Sequence, residues 1–142
     1  MRTNKTNNIL LSIKTEYANK ILDGSKRYEF RGWKLPDNIE NVYIYSSGIQ
    51  KKIVGKFQIE KVIEDTPENI WEKCQKYSGV LKKEFFDYVY TFDYNKIYAI
   101  KVKRIELFSN PLFLSDALNR MHAPQRFKYL SDCEIEVLEG YL

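Results

Sequence analysis

The chain has 142 residues, 44% of them hydrophobic, 30% charged and 15% aromatic, with a formal net charge of +4. That length suits one core, and the composition excludes a disordered, collagen-like or disulfide-stapled chain. No apolar run approaches the roughly 18 residues a membrane helix needs, and two isolated cysteines with a single histidine offer no metal-ligand spacing, so a cytoplasmic protein without membrane, metal or cofactor is expected, its oligomeric state left open.

Positive charge follows particular stretches. Residues 1–34, 51–61 and 96–130 are net positive by five, three and five, whereas 35–50, 62–95 and 131–142 are net negative. If the positive stretches adjoin in space they form one basic face.

Residues 1–8 are polar and read as a flexible N-terminus, with 9–142 as a single domain. Ile9, Leu11 and Ile13 alternate with Leu10, Ser12 and Lys14, a strand whose second face ends in a hydroxyl and an ammonium. Thr15 is placed to cap a short helix with Tyr17, Ala18, Ile21 and Leu22 on one face, ended by Gly24. The run DGSKRYEFRGWKLP (residues 23–36) then carries Lys26, Glu29 and Arg31. In a strand, Glu29 and Arg31 share one face while Tyr28 and Phe30 take the other. Two readings follow: a solvated ion pair contributing under about 1 kcal/mol, or a recognition pair in which Arg31 forks onto a phosphate or base edge and Glu29 accepts from an exocyclic amine.

Val42 and Ile44 alternate with Tyr43 and Tyr45 as a strand running into Ser46, Ser47 and Gly48. Ser12, Lys14, Tyr45, Ser46 and Ser47 are expected at strand ends around one cavity. The next strand, from Lys52, is interrupted by Gly55 and slips phase at Val62 and Ile63, as a bent barrel strand does. Thr66, Pro67 and Glu68 open a helix striped by Ile70, Trp71, Cys74 and Tyr77. A further helix sets Leu81, Phe85, Phe86 and Val89 against Lys82, Lys83 and Glu84, and Trp71 with the aromatics of 85–92 reads as core.

Tyr98, Ile100 and Val102 begin another strand, which shifts phase at Ile105 and Leu107. In HAPQRFKYL (residues 122–130), Gln125 and Arg126 precede Phe127, Lys128 and Tyr129. Cations interleaved with rings suit single-stranded nucleic acid; the alternative is a loop pinning Phe127 and Leu130 into the core. Ile135 and Val137, alternating with Glu134 and Glu136, suggest a closing strand. The order points to an α+β fold: a small, mostly antiparallel β-barrel with a helix after the first strand and two helices in mid-chain. His122 has no nucleophile motif near it, and the GxSxG, P-loop and GxGxxG patterns are absent.

The stretch LLSIKTEYANKILDGSKRYEFR (residues 10–31) resembles the ASCH domain family, in which a helix, Gly, x, Lys, two residues, Glu, x, Arg fall here on Gly24, Lys26, Glu29 and Arg31. VYIYSS, IVGKFQIEKVIE, PENIW, YAIKV and APQRFKYL extend the resemblance over most of the chain. It implies a PUA-like barrel of five or six strands with a cleft beside the first helix that binds RNA or a modified nucleoside. One branch of the family resembles amidohydrolases acting on N4-acetylcytidine, with a Lys, a Thr three residues on and a Glu from the later helical region; Lys26 matches, Glu29 stands at the threonine position and Ser78 lies near that of the glutamate. Another branch is linked to RNA cleavage. The resemblance implies that Lys26, Glu29 and Arg31 face the ligand, with Lys26 and Glu29 catalytic if the protein is a hydrolase; together with the residues read above, the expected ligand site is Lys14, Lys26, Glu29, Arg31, Tyr45, Ser46, Ser47, Gln125 and Arg126.

Overall fold

The computed structural model describes residues 7–119 and 122–142. Most of the polar N-terminal stretch, residues 1–6, lies outside the described residues, and Asn8 already belongs to the first strand. The elements are β1 (Asn8–Lys14), α1 (Thr15–Leu22), β2 (Tyr28–Arg31), β3 (Asn41–Ser47), β4 (Lys52–Asp65), α2 (Pro67–Cys74) with a 3-10 turn (Gln75–Tyr77), α3 (Lys82–Thr91), β5 (Ile97–Leu112), α4 (Leu114–Leu118), β6 (Phe127–Tyr129) and α5 (Asp132–Glu139).

One sheet runs in the order β2-β5-β4-β3-β1-β6. Its pairings are antiparallel except β1 with β3, which are parallel because α1 and β2 carry the chain across between them. The fold is α+β and mostly antiparallel, but β2 and β6 remain edges, so the sheet curls into a half-barrel and does not close. The curl is built into β4 and β5, which are 14 and 16 residues long and pair with three register shifts. At one shift a β-carbon on Gly55 would collide with the carbonyl oxygen of Glu106, so only glycine lets the two backbones approach. Arg104 on β5 adds a positive φ of 50°.

The concave side packs Ile9, Leu11, Ile13, Val42, Ile44, Phe57 and Ile100 under Ala18 and Ile21 of α1. On the convex side, Phe30, Ile97 and Ala99 take Ile70 and Cys74 of α2 and Phe85 and Val89 of α3, while Leu10, Tyr43 and Ile53 take Leu114 and Leu118 of α4 and Leu138 of α5. Thr66 caps α2 as the sequence indicates, its hydroxyl accepting from Asn69 N at 3.3 Å behind Pro67.

Four expectations change. Thr15 does not cap α1; its hydroxyl donates to Ser47 O at 2.9 Å and accepts from Ser46 Oγ at 2.8 Å, tying the helix to β3. Leu81 sits before α3 and is 70% exposed instead of packing beneath it. The segment 134–137 is helical: Ser131 and Glu134 form a capping box, and Leu138 with the partly buried Ile135 is what α5 turns toward the sheet. Within HAPQRFKYL the expected loop is in part a short strand on β1, Phe127–Tyr129, although Leu130 is fully buried and Phe127 packs against the core as that reading had it.

Candidate functional site

A cavity of about 560 Å³ opens between the end of β1, α1, β2 and α3, where β2 faces β1 without pairing to it. Lys26, Glu29 and Arg31 converge on it. Lys26 is 1% exposed. Its ammonium donates to the carbonyl of Ser78 at 2.5 Å, lies 3.7 Å from Glu29 Oε1, and sits 4.8 Å from the ring centre of Phe30 and 5.4 Å from that of Tyr17. The turn after α2 is shaped for this: Gly79 has φ +68°, and a β-carbon there would come 2.6 Å from Lys26 Cβ. Ordinary side chains are excluded both by backbone and by space.

Glu29 Oε2 accepts from Arg31 Nη2 at 2.6 Å, and the same Nη2 donates to the carbonyl of Ser12 at 2.9 Å. The guanidinium thus bridges β2 to β1 across the open seam. Its Nε–H is buried without an acceptor. Ser12 Oγ donates to Pro124 O at 2.7 Å, which brings the 122–126 loop to the rim. On the far wall, Tyr17 donates to Glu84 Oε2 at 2.7 Å, and Glu84 Oε1 accepts from Leu81 N at 2.9 Å, so the tyrosine ring is fixed beside Lys26.

Burial, followed by the bond to Glu84, pushes the Tyr17 hydroxyl above its usual range, and burial pushes Tyr88 up to about 12. The Leu81 amide, then Tyr17, holds Glu84 below the usual carboxylate range. Lys26 is depressed, chiefly by burial and further by Arg31 and Lys20, against the opposing pull of Glu29. Between that depressed value and the ordinary lysine value of about 10.4, the unfolded chain binds more protons than the folded one, so this group makes stability rise with pH in that window. The difference in unfolding midpoint between wild type and Lys26→Met is therefore expected to shift in favour of wild type as pH is raised from 7 toward 10; a constant difference would refute the depression.

Of the sequence-indicated residues, Lys14, Lys26, Glu29, Arg31, Ser47 and Gln125 line the cavity, as does Ser12. Tyr45, Ser46 and Arg126 do not. Tyr45 packs into the core under α4 and α5, and Ser46 is fully buried against Thr15, because β3 lies between β4 and β1 and is covered on both faces. Arg126 instead places its guanidinium 4.9 Å from the ring centre of Trp33, which stacks on Phe127 at 6.0 Å.

The aromatics of α3 are not all core. Phe85 is buried yet borders the cavity, Tyr88 lines it too, and so does Phe92, which lies just past the helix and is 58% exposed. Phe92 stacks nearly parallel on Tyr94 at 5.6 Å, and Tyr88 Oη accepts from Gly32 N at 3.0 Å, which braces this wall against the end of β2. Tyr17, Glu84, Tyr88 and Phe92 were not indicated by sequence. Among the described residues no three His, Cys, Asp or Glu side chains gather for a metal, and no helix is long and apolar enough to cross a membrane.

A family model described as ASCH domain matches residues 11–109. The chain is 30% identical over 126 residues to the large ribosomal subunit protein uL22 of Ureaplasma parvum, covering 88% of this chain and 40% of that protein, and 24% identical over 123 residues to the ATP synthase subunit alpha of the same organism, covering 86% and 15%. The chain therefore spans about two fifths of the length of the first and a smaller part of the second. A crystal structure of ASCH from Zymomonas mobilis superposes with a TM-score of 0.85 at 20% identity, covering 97% of this chain and 96% of that one.

Proposed function

Given that the chain belongs to the ASCH domain family, we propose that its cavity binds one nucleobase, presented by RNA or as a modified nucleoside. The observation that carries this reading is the buried Lys26–Glu29–Arg31 group at the cavity wall. It offers a carboxylate acceptor and two cationic donors side by side, with one guanidinium N–H still unsatisfied, and a ring bearing amide and amine edges is the ligand that matches such mixed donors and acceptors. Charge supports the same conclusion. Lys14, Lys26 and Arg31 are balanced around the cavity by Glu29, Glu84 and Asp87, so the interior favours an uncharged polar group over a phosphate. The two Ureaplasma relatives carry the names of unrelated assemblies, a ribosomal protein and an ATP synthase subunit. A segment shared with both supports a module whose ligand is its own.

Calorimetric titration with a panel of plain and acylated nucleosides tests this. At least one is expected to bind with an affinity nearly independent of salt, since no phosphate is involved. Phe92→Ala is expected to weaken an oligonucleotide containing the preferred base by about 5-fold or more, through a lost stacking contact of about 1–3 kcal/mol, while a nucleoside alone loses less. No binding by any nucleoside would end the reading.

A second reading, hydrolysis of an acylated cytidine or of RNA, is favoured by one observation: burial depresses Lys26 beside Glu29, the setting of a lysine that accepts a proton from water while the carboxylate relays it. Turnover by purified protein that Lys26→Ala abolishes would establish it; no turnover leaves Lys26 a binding group.

A further inference from the structure

The outer surface of β4 and β5 carries cations that the cavity does not use. Lys61 and Lys101 are directly opposite in the strand ladder, an arrangement of like charges that destabilises a sheet. Lys103 follows two residues on from Lys101, on the same face and about 6.6 Å along the strand. Arg27 adjoins them, because its carbonyl accepts from Val102 N at 3.0 Å. Its guanidinium lies 4.2 Å from the ring centre of Tyr77, with Lys76 at 5.4 Å from the same ring. Of these five cations, Lys101 is paired with Glu60 at 3.0 Å, a carboxylate that also feels the charge of Lys61 and Lys103. Among the described residues the other four cations, Arg27, Lys61, Lys76 and Lys103, have no ion-pair partner of their own, as is true of several cations elsewhere; these four are set apart by lying together.

A self-repelling strip kept on a folded surface is stabilised when a polyanion covers it. We propose that this strip is a docking surface for the phosphate backbone of single-stranded RNA, separate from the nucleobase cavity: Lys26 turns inward to the cavity while the next residue, Arg27, turns out to the strip. Several features single out RNA. The cations are spaced along extended strands and not gathered at one point, the half-buried rings of Tyr28 and Tyr77 lie among them, and rings beside cations suit an unpaired chain. The strip has no exposed aliphatic cluster to enter a lipid surface. The inference does not depend on what the cavity binds.

The test is the triple variant Arg27→Gln, Lys61→Gln, Lys103→Gln, whose replaced side chains are all exposed, compared with the full wild-type chain on a fluorescent twelve-nucleotide oligouridine. The affinity at low salt is expected to fall by about tenfold or more, and the slope of log affinity against log salt to shrink by about 2, about 0.7 for each phosphate contact removed. Nucleoside affinity should stay unchanged, and the charge-conserving set Arg27→Lys, Lys61→Arg, Lys103→Arg should restore the slope, which excludes misfolding as the cause. An unchanged slope, or no oligouridine binding by wild type, overturns the proposal. So does a loss confined to polyaspartate or phosphatidylserine vesicles, which would assign the strip to an acidic protein or a membrane. If Arg31→Ala abolishes nucleoside binding yet leaves the oligouridine slope intact, the strip stands apart from the cavity; if no nucleoside binds and the strip variant still changes the slope, only the cavity reading fails.

Discussion

Glu29→Ala is expected to lower the unfolding free energy by about 3–5 kcal/mol, the loss typical when one partner of a buried ionic group is removed. Glu29 accepts from Arg31 at 2.6 Å and faces Lys26 at 3.7 Å, and its side chain is 7% exposed. Without it two cations remain together, out of water and without a counter-charge. Glu29→Gln keeps an acceptor but not the charge and should lose less. Urea denaturation, read as a shift of midpoint at constant slope, measures both. A loss below about 1 kcal/mol for Glu29→Ala would return the group to the solvated pair that the sequence also allowed.

The second large effect concerns affinity. Arg31→Ala is expected to weaken nucleoside binding by about 30-fold or more, corresponding to the 2 kcal/mol or more lost when one member of a buried hydrogen-bonded charge pair is truncated. The substitution removes the unsatisfied Nε donor and the link to the Ser12 carbonyl together. Arg31→Lys keeps the charge but not the planar fork, and is expected to recover little. If Arg31→Ala binds every nucleoside and RNA as wild type does, the base does not lie against this wall.

What could be read from sequence followed from local geometry. The period of two in YEFR put Glu29 and Arg31 on one face, and they are ion-paired there; Gly55 marked the close approach of β4 to β5. The same period misled in β3, where burial on both faces leaves no cavity side for Tyr45 and Ser46, and in 134–137, where EIEV alternates yet SDCE just before it is a capping box that marks a helix start. Tyr17 and Glu84 were beyond reach for a different reason: 67 positions separate them, and only the packing of α3 against the edge of the half-barrel makes them neighbours. Phe92 looked like core because a ring near the end of an amphipathic helix usually is; its exposure comes from the chain turning away at Asp93, whose φ is 54°.

The bond from Arg31 to the Ser12 carbonyl has a mechanical consequence. Everywhere else neighbouring strands are laced by rows of main-chain amides, but this junction is fastened by a guanidinium that a guest molecule would also want. A guest offering a better acceptor would unfasten the junction as it settles, letting the margin of the sheet swing outward. Occupancy and the set of that margin would then change as one.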